Sequence, residues 1–334
     1  MRIDAERIAI VKLGAIGDVV NSLPFLQRLR AGYPRAEITW ILGPAPHALV
    51  AGHRAVDRFL VFDARDRATW LGFVRALRAL RFDLVIDLQR ILKSGVITRA
   101  SGAPRRLGFD RARCKEASWL FTNLKIPPNA NPGVTVEQYL EFADFLECPP
   151  RVPSWDLPFE PYAAPSDGKP RVVVNVGASK PANRWYPERW ARVCEGLVEQ
   201  CGAEVHLTGG KTDRAEVAEV LHACSAPVVD QAGRLTLAQS AGLIRSARLF
   251  VGCDTGPMHI AAAVGTPVLA LFGAADPRRT GPFGAQHVVV THPVPCSPCR
   301  RRHCNVDGHP CMAGIEPELV LARARELLAA ERGR

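Results

Sequence analysis

One short segment combines an anion-binding backbone with two side chains that could do chemistry. An apolar run over Leu249–Val251 predicts a buried strand, and an Asp-Thr-Gly turn leads from it into an alanine-rich helix. Thr255 is suited to capping that helix, and Gly256 allows a ligand to approach the backbone closely. The N–H groups and the dipole of such a helix start favour a diphosphate. Asp254 and His259 would add a carboxylate and an imidazole there, although an ordinary strand–helix corner is the alternative.

A second segment offers a carboxylate at the start of another helix. The strand predicted over Ile8–Leu13 runs into Gly14-Ala15-Ile16-Gly17-Asp18, whose glycines permit a tight turn. As a functional group Asp18 would be a general base that takes a proton from an acceptor hydroxyl, with helix capping as the alternative. The same turn could belong to a nicotinamide-dependent oxidoreductase. The third glycine of that fingerprint is missing and Asp18 would repel a pyrophosphate, which disfavours the oxidoreductase.

Two further strand ends carry polar side chains in the second half of the chain. Ser179, Lys180 and Arg184 follow the strand predicted over Val172–Val176 and could neutralise phosphate oxygens. A surface loop with two cations is the alternative for this group. Asp213 follows the next predicted strand and could accept hydrogen bonds from ribose hydroxyls, or simply cap a helix.

The chain has a net charge of +10, and basic residues cluster in its first half. Cations follow the predicted strands or lie between predicted elements at Arg65, Arg67, Arg90, Lys93, Arg105, Arg106, Arg111, Arg113 and Lys115. These positions predict a rim that binds an anionic acceptor, with Arg90, Lys93, Arg113 and Lys115 as the binding residues. Few aromatic residues are interleaved to stack on bases, so nucleic acid is disfavoured as a partner. A solvated basic face is the alternative for each single residue.

Four cysteines gather near the end of the chain, at Cys296, Cys299, Cys304 and Cys311. The first apolar stretch is too short for the core of a signal peptide, so we expect a cytoplasmic protein with thiols or metal ligands rather than disulfides. Four thiolates at short spacing suit a tetrahedral zinc or iron ion. Such an ion would be structural, because four sulfurs leave no open position. His303 or His309 could substitute for one ligand.

Strand and helix patterns alternate through most of the sequence, which predicts an α/β protein with parallel sheets. Predicted strands are Ile8–Leu13, Ile38–Leu42, Phe59–Phe62, Leu84–Leu88, Val172–Val176, Val205–Leu207, Val228–Val229, Leu249–Val251 and Val268–Phe272. Predicted helices are Asp18–Arg30, Thr69–Leu80, Glu188–Gln200, Asp213–Cys224, Leu237–Ser246, Met258–Val264 and Pro317 to about Glu331. No apolar run reaches the roughly 18 residues that a membrane span needs.

The alternation stops between Pro149 and Pro170, where seven of 22 residues are proline. We therefore predict a first Rossmann-like domain over residues 1–155, a linker over 156–170 and a second Rossmann-like domain over 171–334, which includes the cysteine-rich segment 296–311. Two doubly wound domains would leave a central ligand cleft at the carboxyl ends of their strands.

Taken together, four segments resemble the bacterial heptosyltransferases of glycosyltransferase family 9, which have the GT-B fold. The segments are Val11–Pro24, Asp87–Ser94, Asp254–His259 and Leu271–Pro277. They extend from the first strand to residue 277, so the resemblance covers nearly the whole chain. The Asp-x-Gln-x-x-x-Lys-Ser pattern of the second segment is more similar to heptosyltransferase I than to its siblings.

The resemblance implies an inverting transfer of L-glycero-D-manno-heptose from ADP-heptose to a Kdo sugar of lipid A, in the inner core of lipopolysaccharide. It implies that Asp18 is the base, and that the Asp254–Gly256 turn, His259 and Ser179 with a basic neighbour hold the donor. No cofactor is expected for catalysis, because helix starts and cations can stabilise a leaving diphosphate. The enzyme would work in the cytoplasm, in peripheral contact with the anionic face of the inner membrane.

Two positions depart from the family pattern. Asn183 stands where a lysine usually precedes the tryptophan matched by Trp185, so Arg184 or Lys180 would take over its phosphate contact. Arg90 stands where a glycine is common, which would alter the fit of the acceptor. A family 9 transferase for a second heptose or a protein is one alternative, since a protein-modifying branch is associated with a four-cysteine iron site. A non-catalytic nucleotide-sugar-binding homologue is the other, and Asn183 favours it.

Overall fold

The chain folds into two compact units, Met1–Pro158 and Phe159–Arg334. The computed structural model describes residues 1–163 and 167–330, so linker residues 164–166 and the end predicted for the last helix at Glu331 lie outside the described residues. The boundary between the units lies inside the predicted linker, in the proline-rich stretch.

The first unit contains a six-stranded parallel sheet. Its strands are β1 (Arg7–Val11), β2 (Glu37–Leu42), β3 (Arg58–Val61), β4 (Leu84–Asp87), β5 (Arg105–Gly108) and β6 (Leu124–Lys125). Its helices are α1 (Ile16–Gly32), α2 (Pro44–Val50), α3 (Trp70–Ala79), α4 (Leu92–Ala100) and α5 (Thr135–Phe145). The strands lie in the order β3-β2-β1-β4-β5-β6.

The second unit repeats this arrangement with another six-stranded parallel sheet. Its strands are β7 (Arg171–Asn175), β8 (Glu204–Thr208), β9 (Val229–Asp230), β10 (Leu249–Cys253), β11 (Val268–Phe272) and β12 (Val288–Thr291). Its helices are α6 (Pro187–Cys201), α7 (Arg214–Ala223), α8 (Leu237–Arg245), α9 (Gly256–Ala263), α10 (Pro277–Thr280), α11 (Pro310–Ala313) and α12 (Pro317–Ala330). The strand order is β9-β8-β7-β10-β11-β12.

Both orders are the 3-2-1-4-5-6 order of the Rossmann fold, which confirms the α/β fold class. In each unit the strand order reverses between the first and the fourth strand. Ligands of such sheets bind outside the carboxyl ends of the strands at this switch point. The topology therefore indicates that a ligand would bind at the loops after β1 and β4 in the first unit, and at the loops after β7 and β10 in the second.

The central strands form because their apolar runs can be buried on both faces, as parallel sheets require. Residues Ile8–Val11 and Val172–Val174 are completely or almost completely buried. In the first unit α1 packs against α5, with the rings of Phe25 and Phe142 6.1 Å apart. In the second unit the rings of Trp185 and Trp190 meet edge to face at 4.8 Å.

All nine predicted strands and seven predicted helices are confirmed, with boundaries that shift by up to about two residues. The predictions missed α2, α4, α5, α10, α11, β5, β6 and β12. Arg105 and Arg106 were assigned to a connection, and this is wrong, because they begin strand β5. Their guanidinium groups donate to backbone carbonyls, among them that of Asp4 from Arg105 and that of Phe121 from Arg106. Across residues 1–163 and 167–330, no helix is long and apolar enough to cross a bilayer.

Candidate active site

Asp18 lies in the first turn of α1, directly beyond the carboxyl end of β1. Ala15 is the N-cap residue of this helix, so the capping interpretation of Asp18 is wrong. The Asp18 side chain is 38% exposed, and its Oδ2 lies 3.1 Å from the Nζ of Lys12. The carboxylate is thus held at one end by a cation while it stays accessible from solvent.

Lys12 is a buried cation that the sequence reasoning did not single out. Its side chain is only 2% exposed, and its Nζ lies 5.3 Å from the centre of the Tyr139 ring. Burial acts to lower the pKa of Lys12, but Asp18 and Tyr139 outweigh it and the pKa is raised. Lys12 is therefore charged at neutral pH. A lone lysine at the end of an apolar strand, six residues before an aspartate, was the signal that could have revealed it.

A second carboxylate, that of Asp87, is buried and ends the neighbouring strand β4. It accepts hydrogen bonds from Ser94 Oγ at 2.9 Å and from the backbone N–H of Gln89 at 2.8 Å. Burial raises the pKa of Asp87 to about 6, against the opposing effects of these bonds and of Lys12. The Gln89 side chain also accepts a bond from the N–H of Gly14 at 3.3 Å. This bond joins the loops after β1 and β4 at the switch point.

Three of the cations predicted to bind an acceptor lie at or near this end of the sheet. Arg90 follows Gln89 with a left-handed backbone (φ 67°), donates to Gln138 Oε1 at 2.9 Å, and lies 4.4 Å from the ring centre of Phe109. Lys93 is exposed in the first turn of α4. Lys115 is also exposed, and its backbone N–H donates to the Arg90 carbonyl at 2.8 Å.

Arg113 differs from these three because its guanidinium is committed to the fold. It pairs with Asp110, with Glu141 at 2.7 Å, and donates to the carbonyl of Pro127 at 2.9 Å. All three guanidinium nitrogens are engaged and the side chain is almost fully buried. Arg113 therefore organises the loop between β5 and β6.

The turn after β10 has the geometry of an anion seat in the second unit. Thr255 is the N-cap residue of α9, but its side chain makes no cap hydrogen bond. Its Oγ1 is buried without a hydrogen-bond partner in the part of the chain that the structure describes. The Thr255 side chain therefore leaves the start of α9 without its cap, as a helix start that binds an anion requires. His259 is nearly buried one turn into α9, with Nε2 4.0 Å from Asp254 Oδ1.

Asn183 connects the loop after β7 to this turn. Its Nδ2 donates to Asp254 Oδ2 at 3.3 Å, and its buried Oδ1 has no partner among the described residues. Ser179 is exposed and Lys180 is half-buried in the same loop. The structure thus brings together the loop after β7 and the Asp-Thr-Gly turn, as their strand neighbours require.

Arg184 and Asp213 are brought together as well, but as partners of each other. Arg184 Nη2 lies 3.1 Å from Asp213 Oδ1, and its Nη1 lies 2.7 Å from Glu216. Burial raises the pKa of Glu216 to about 7, while Arg184 opposes this shift. Gly177 makes room for the pair, because a Cβ there would lie 2.2 Å from an Asp213 oxygen. In this structure Arg184 is therefore neutralised by acidic side chains.

The four cysteines line one cavity of about 380 Å³ together with His309. Burial raises the pKa of the Cys311 thiol, and the neighbouring thiols of Cys304, Cys296 and Cys299 raise it further. No group of three His, Cys, Asp or Glu side chains in residues 1–163 and 167–330 is arranged to hold a metal ion. The side chains share a cavity but do not form a coordination site as they stand.

The cysteine-rich segment also supports the loop that carries Asn183. His309 Nε2 lies 3.0 Å from the carbonyl of Ala182, whose N–H donates to the Arg302 carbonyl at 3.1 Å. Trp185 Nε1 donates to the carbonyl of Met312 at 3.1 Å. These hydrogen bonds therefore stabilise the loop after β7.

Two Rossmann-type units with polar groups at their switch points are the architecture of the GT-B fold, which known heptosyltransferase structures share. The family model for glycosyltransferase family 9 (heptosyltransferase) matches residues 70–309, and the chain belongs to this family of enzymes. Lipopolysaccharide heptosyltransferase 1 of Pseudomonas aeruginosa is 30% identical over 313 residues, which are 89% of this chain and 87% of the relative.

Solved structures show the same fold over nearly the full length. The family 9 glycosyl transferase from Veillonella parvula has a TM-score of 0.82 and 22% sequence identity, and the match covers 99% of both chains. The E. coli heptosyltransferase WaaC with ADP has a TM-score of 0.75 and 22% identity, over 96% of this chain and 99% of that one. The recognition of the family and of the GT-B fold from sequence motifs is confirmed.

Proposed function

We propose that the protein transfers L-glycero-D-manno-heptose from ADP-heptose to a Kdo sugar of lipid A, with inversion at the anomeric carbon. Membership of family 9 and the heptosyltransferase 1 relative support the sugar and the acceptor class. The observation that carries the proposal is the accessible Asp18 carboxylate held 3.1 Å from the buried Lys12 ammonium. This is the arrangement that a single-displacement transfer needs at its acceptor oxygen.

On the acceptor side, Asp18 is the general base. The acceptor oxygen forms a bond to the anomeric carbon while the bond from that carbon to the diphosphate breaks, and the hydroxyl proton passes to Asp18. Lys12 pairs with Asp18 at 3.1 Å and fixes the orientation of its carboxylate before the reaction.

On the donor side, the start of α9 binds the diphosphate and stabilises the charge that develops on departing ADP. Ser179 and Lys180 add a hydroxyl and a cation from the loop after β7. Asp254 and His259 hold the heptose, and Asn183 positions Asp254. Arg184 and Asp213 fix the shape of this region through their ion pair, so the phosphate role of Arg184 and the ribose role of Asp213 remain predictions.

The acceptor is anionic, and Arg90, Lys93 and Lys115 are the cations that we propose for it. Arg113 is left out because its three nitrogens already have partners. The reaction would take place on the cytoplasmic side of the inner membrane, where a lipid A precursor presents its Kdo sugars. Asn183, the feature that favoured a non-catalytic homologue, contacts the donor turn instead of leaving it open.

The cysteine-rich segment supports a separate proposal, a structural zinc or iron ion held by Cys296, Cys299, Cys304 and Cys311. The shared cavity supports it, although the thiols would have to move together to coordinate an ion. Elemental analysis of the purified protein and of a Cys299→Ser variant tests it. About one equivalent in the native protein and a large loss in the variant are expected, and a metal-free native protein with intact activity would contradict it.

The proposed reaction is tested by mass spectrometry of the product formed from ADP-heptose. Kdo2-lipid A is the expected acceptor, and lipid A that already carries one heptose is the matched control. A product heavier by one heptose with the first acceptor alone supports the proposal. Transfer only to the second acceptor, or none to either in a preparation that binds ADP, would overturn it.

A further inference from the structure

Three large apolar side chains are exposed on two elements of the first unit that pack together. Leu92 and Val96 in α4 are 46% and 50% exposed, and Leu120 in the 3₁₀ turn Ser118–Phe121 is 63% exposed. Leu92 and Val96 lie one turn apart on the same face of the helix. A Cβ on Gly95 would lie 2.7 Å from the ring of Phe121, so the turn presses directly on α4. We call Leu92, Val96 and Leu120 the α4 patch.

The α4 patch lies in the most basic part of the chain. Residues 90–125 contain nine Lys or Arg and two Asp or Glu, a balance of +7 out of +10 for the whole chain. Lys93 and Arg99 are exposed on α4 beside the apolar pair. Arg111 is exposed next to the turn, with its guanidinium 4.8 Å from the ring centre of Trp119. Exposed cations therefore lie on α4 and in the neighbouring 3₁₀ turn Arg111–Arg113.

The two acidic residues of this region do not cancel its charge. Asp110 is buried with Arg113, and Glu116 accepts the backbone N–H of Leu92 at 3.2 Å at the start of α4. A nucleic acid or a soluble polyanion would use the cations but would gain nothing from three exposed aliphatic side chains. The surface of an anionic bilayer can bind both the aliphatic side chains and the cations. The acyl chains accept the aliphatic groups, and the lipid phosphates pair with the cations.

We propose that the α4 patch and the exposed cations Arg99 and Arg111 dock the protein on the surface of an anionic lipid bilayer. The three aliphatic side chains enter the boundary between headgroups and acyl chains, and Arg99 and Arg111 contact lipid phosphates. The start of α4 directly follows Gln89 and Arg90. Gln89 accepts a hydrogen bond from Gly14 in the loop that leads to Asp18, and Arg90 is one of the cations proposed to bind the acceptor. Docking here would bring that edge of the first unit to a lipid-anchored acceptor without extraction of the lipid.

The test is co-sedimentation with vesicles of phosphatidylcholine, with and without phosphatidylglycerol, and without any sugar donor. A Leu92→Ser, Val96→Ser, Leu120→Ser variant should bind the anionic vesicles about tenfold more weakly than the native chain. An Arg99→Gln, Arg111→Gln variant should lose about fivefold at low salt, and raised salt should abolish the difference. Val152→Ser with Leu319→Ser is the matched control, because these two apolar residues are also exposed but lie elsewhere, and binding should not change.

The proposal is overturned if the native chain ignores anionic vesicles, if it binds neutral ones as tightly, or if the triple variant binds like the native chain. Preference for heparin or DNA over vesicles, unaffected by the triple serine variant, would also overturn it. Heptose transfer to a water-soluble Kdo acceptor is measured in parallel and should be unchanged in the triple variant. Lost docking with intact transfer removes only this proposal, and lost transfer with intact docking removes only the proposed function.

Discussion

The two units share one strand order, yet their switch points carry opposite chemistry. In the first unit the loops after β1 and β4 hold Asp18 and Asp87 around the buried ammonium of Lys12. In the second, the loops after β7 and β10 expose a helix start beside polar atoms of Thr255 and Asn183 that lack partners among the described residues. The fold determines where chemistry can occur, and a few side chains determine which chemistry each unit can support.

The largest effect is expected when the carboxylate of Asp18 in the first unit is neutralised and the second unit is left unchanged. Asp18→Asn keeps the shape but removes the base, so kcat should fall by about 10³. The affinity for ADP should stay within about twofold, because the donor groups belong to the second unit. Enzyme kinetics and calorimetric titration with ADP measure the two effects. Near-native turnover would remove the base assignment, and lost ADP binding would show that the two halves do not divide the work.

Removal of the buried cation should have the next largest effect. Lys12→Met leaves Asp18 and the buried Asp87 without their counter-charge, and we expect kcat to fall by about 30-fold. ADP affinity should again be unchanged. Lys12→Arg, which keeps the charge in a tighter space, should retain more activity than the methionine variant. Equal losses in both variants would show that Lys12 serves packing rather than charge.

A change in the second half should affect donor binding more than turnover. Asn183→Ala removes the hydrogen bond to Asp254, and the KM for ADP-heptose should rise by about tenfold, a loss typical of one hydrogen bond near a charged group. The value of kcat should change less. Asn129→Ala, on the surface of the first unit, is the control. An unchanged KM would mean that Asn183 has no part in donor binding.

The smallest expected effect is on stability, and it comes from the buried carboxyl group of Asp87 in the first unit. Burial raises the pKa of Asp87 from its ordinary value of 3.8, which applies to the unfolded chain, to about 6 in the folded chain. The folded form therefore holds the proton more tightly. Its contribution to stability is present below pH 3.8 and is lost as the pH rises through about 6. The Asp87→Asn variant does not lose stability in this way, because the asparagine amide does not ionise. Its free energy of unfolding relative to native should therefore rise between pH 4 and 7, by up to about 3 kcal/mol.

Urea unfolding at the two pH values measures this difference. The exposed Asp4→Asn is the control, and it should show no such gain. A constant offset between Asp87→Asn and the native chain would show that Asp87 stays ionised throughout this range.

Long buried elements were predictable from the sequence because their patterns are local. Strand β5 was missed because it begins with Arg105 and Arg106, which read as a polar connection, and only its last two residues are buried. The apolar runs of β1 and β10 left no such ambiguity.

The candidate site was predictable only in part, because partners across the sheet leave no trace in the local sequence. The turns at Asp18 and Asp254 carry specific motifs. In contrast, the sequence cannot distinguish a cation that binds a ligand from one that closes an ion pair. Arg113 pairs with residues three and 28 positions away, and Arg184 pairs with residues 29 and 32 positions away. Lys12 was missed although its partner Asp18 lies only six residues away, because the burial of a lone lysine at a strand end depends on the surrounding fold.

The division of labour between the two switch points is tested most directly by a crystal structure with ADP and a Kdo-bearing acceptor bound together. The acceptor hydroxyl should lie within about 3 Å of an Asp18 oxygen, with the diphosphate on the N–H groups that begin α9. An acceptor hydroxyl far from Asp18, or a diphosphate bound to the loop after β1, would contradict the account.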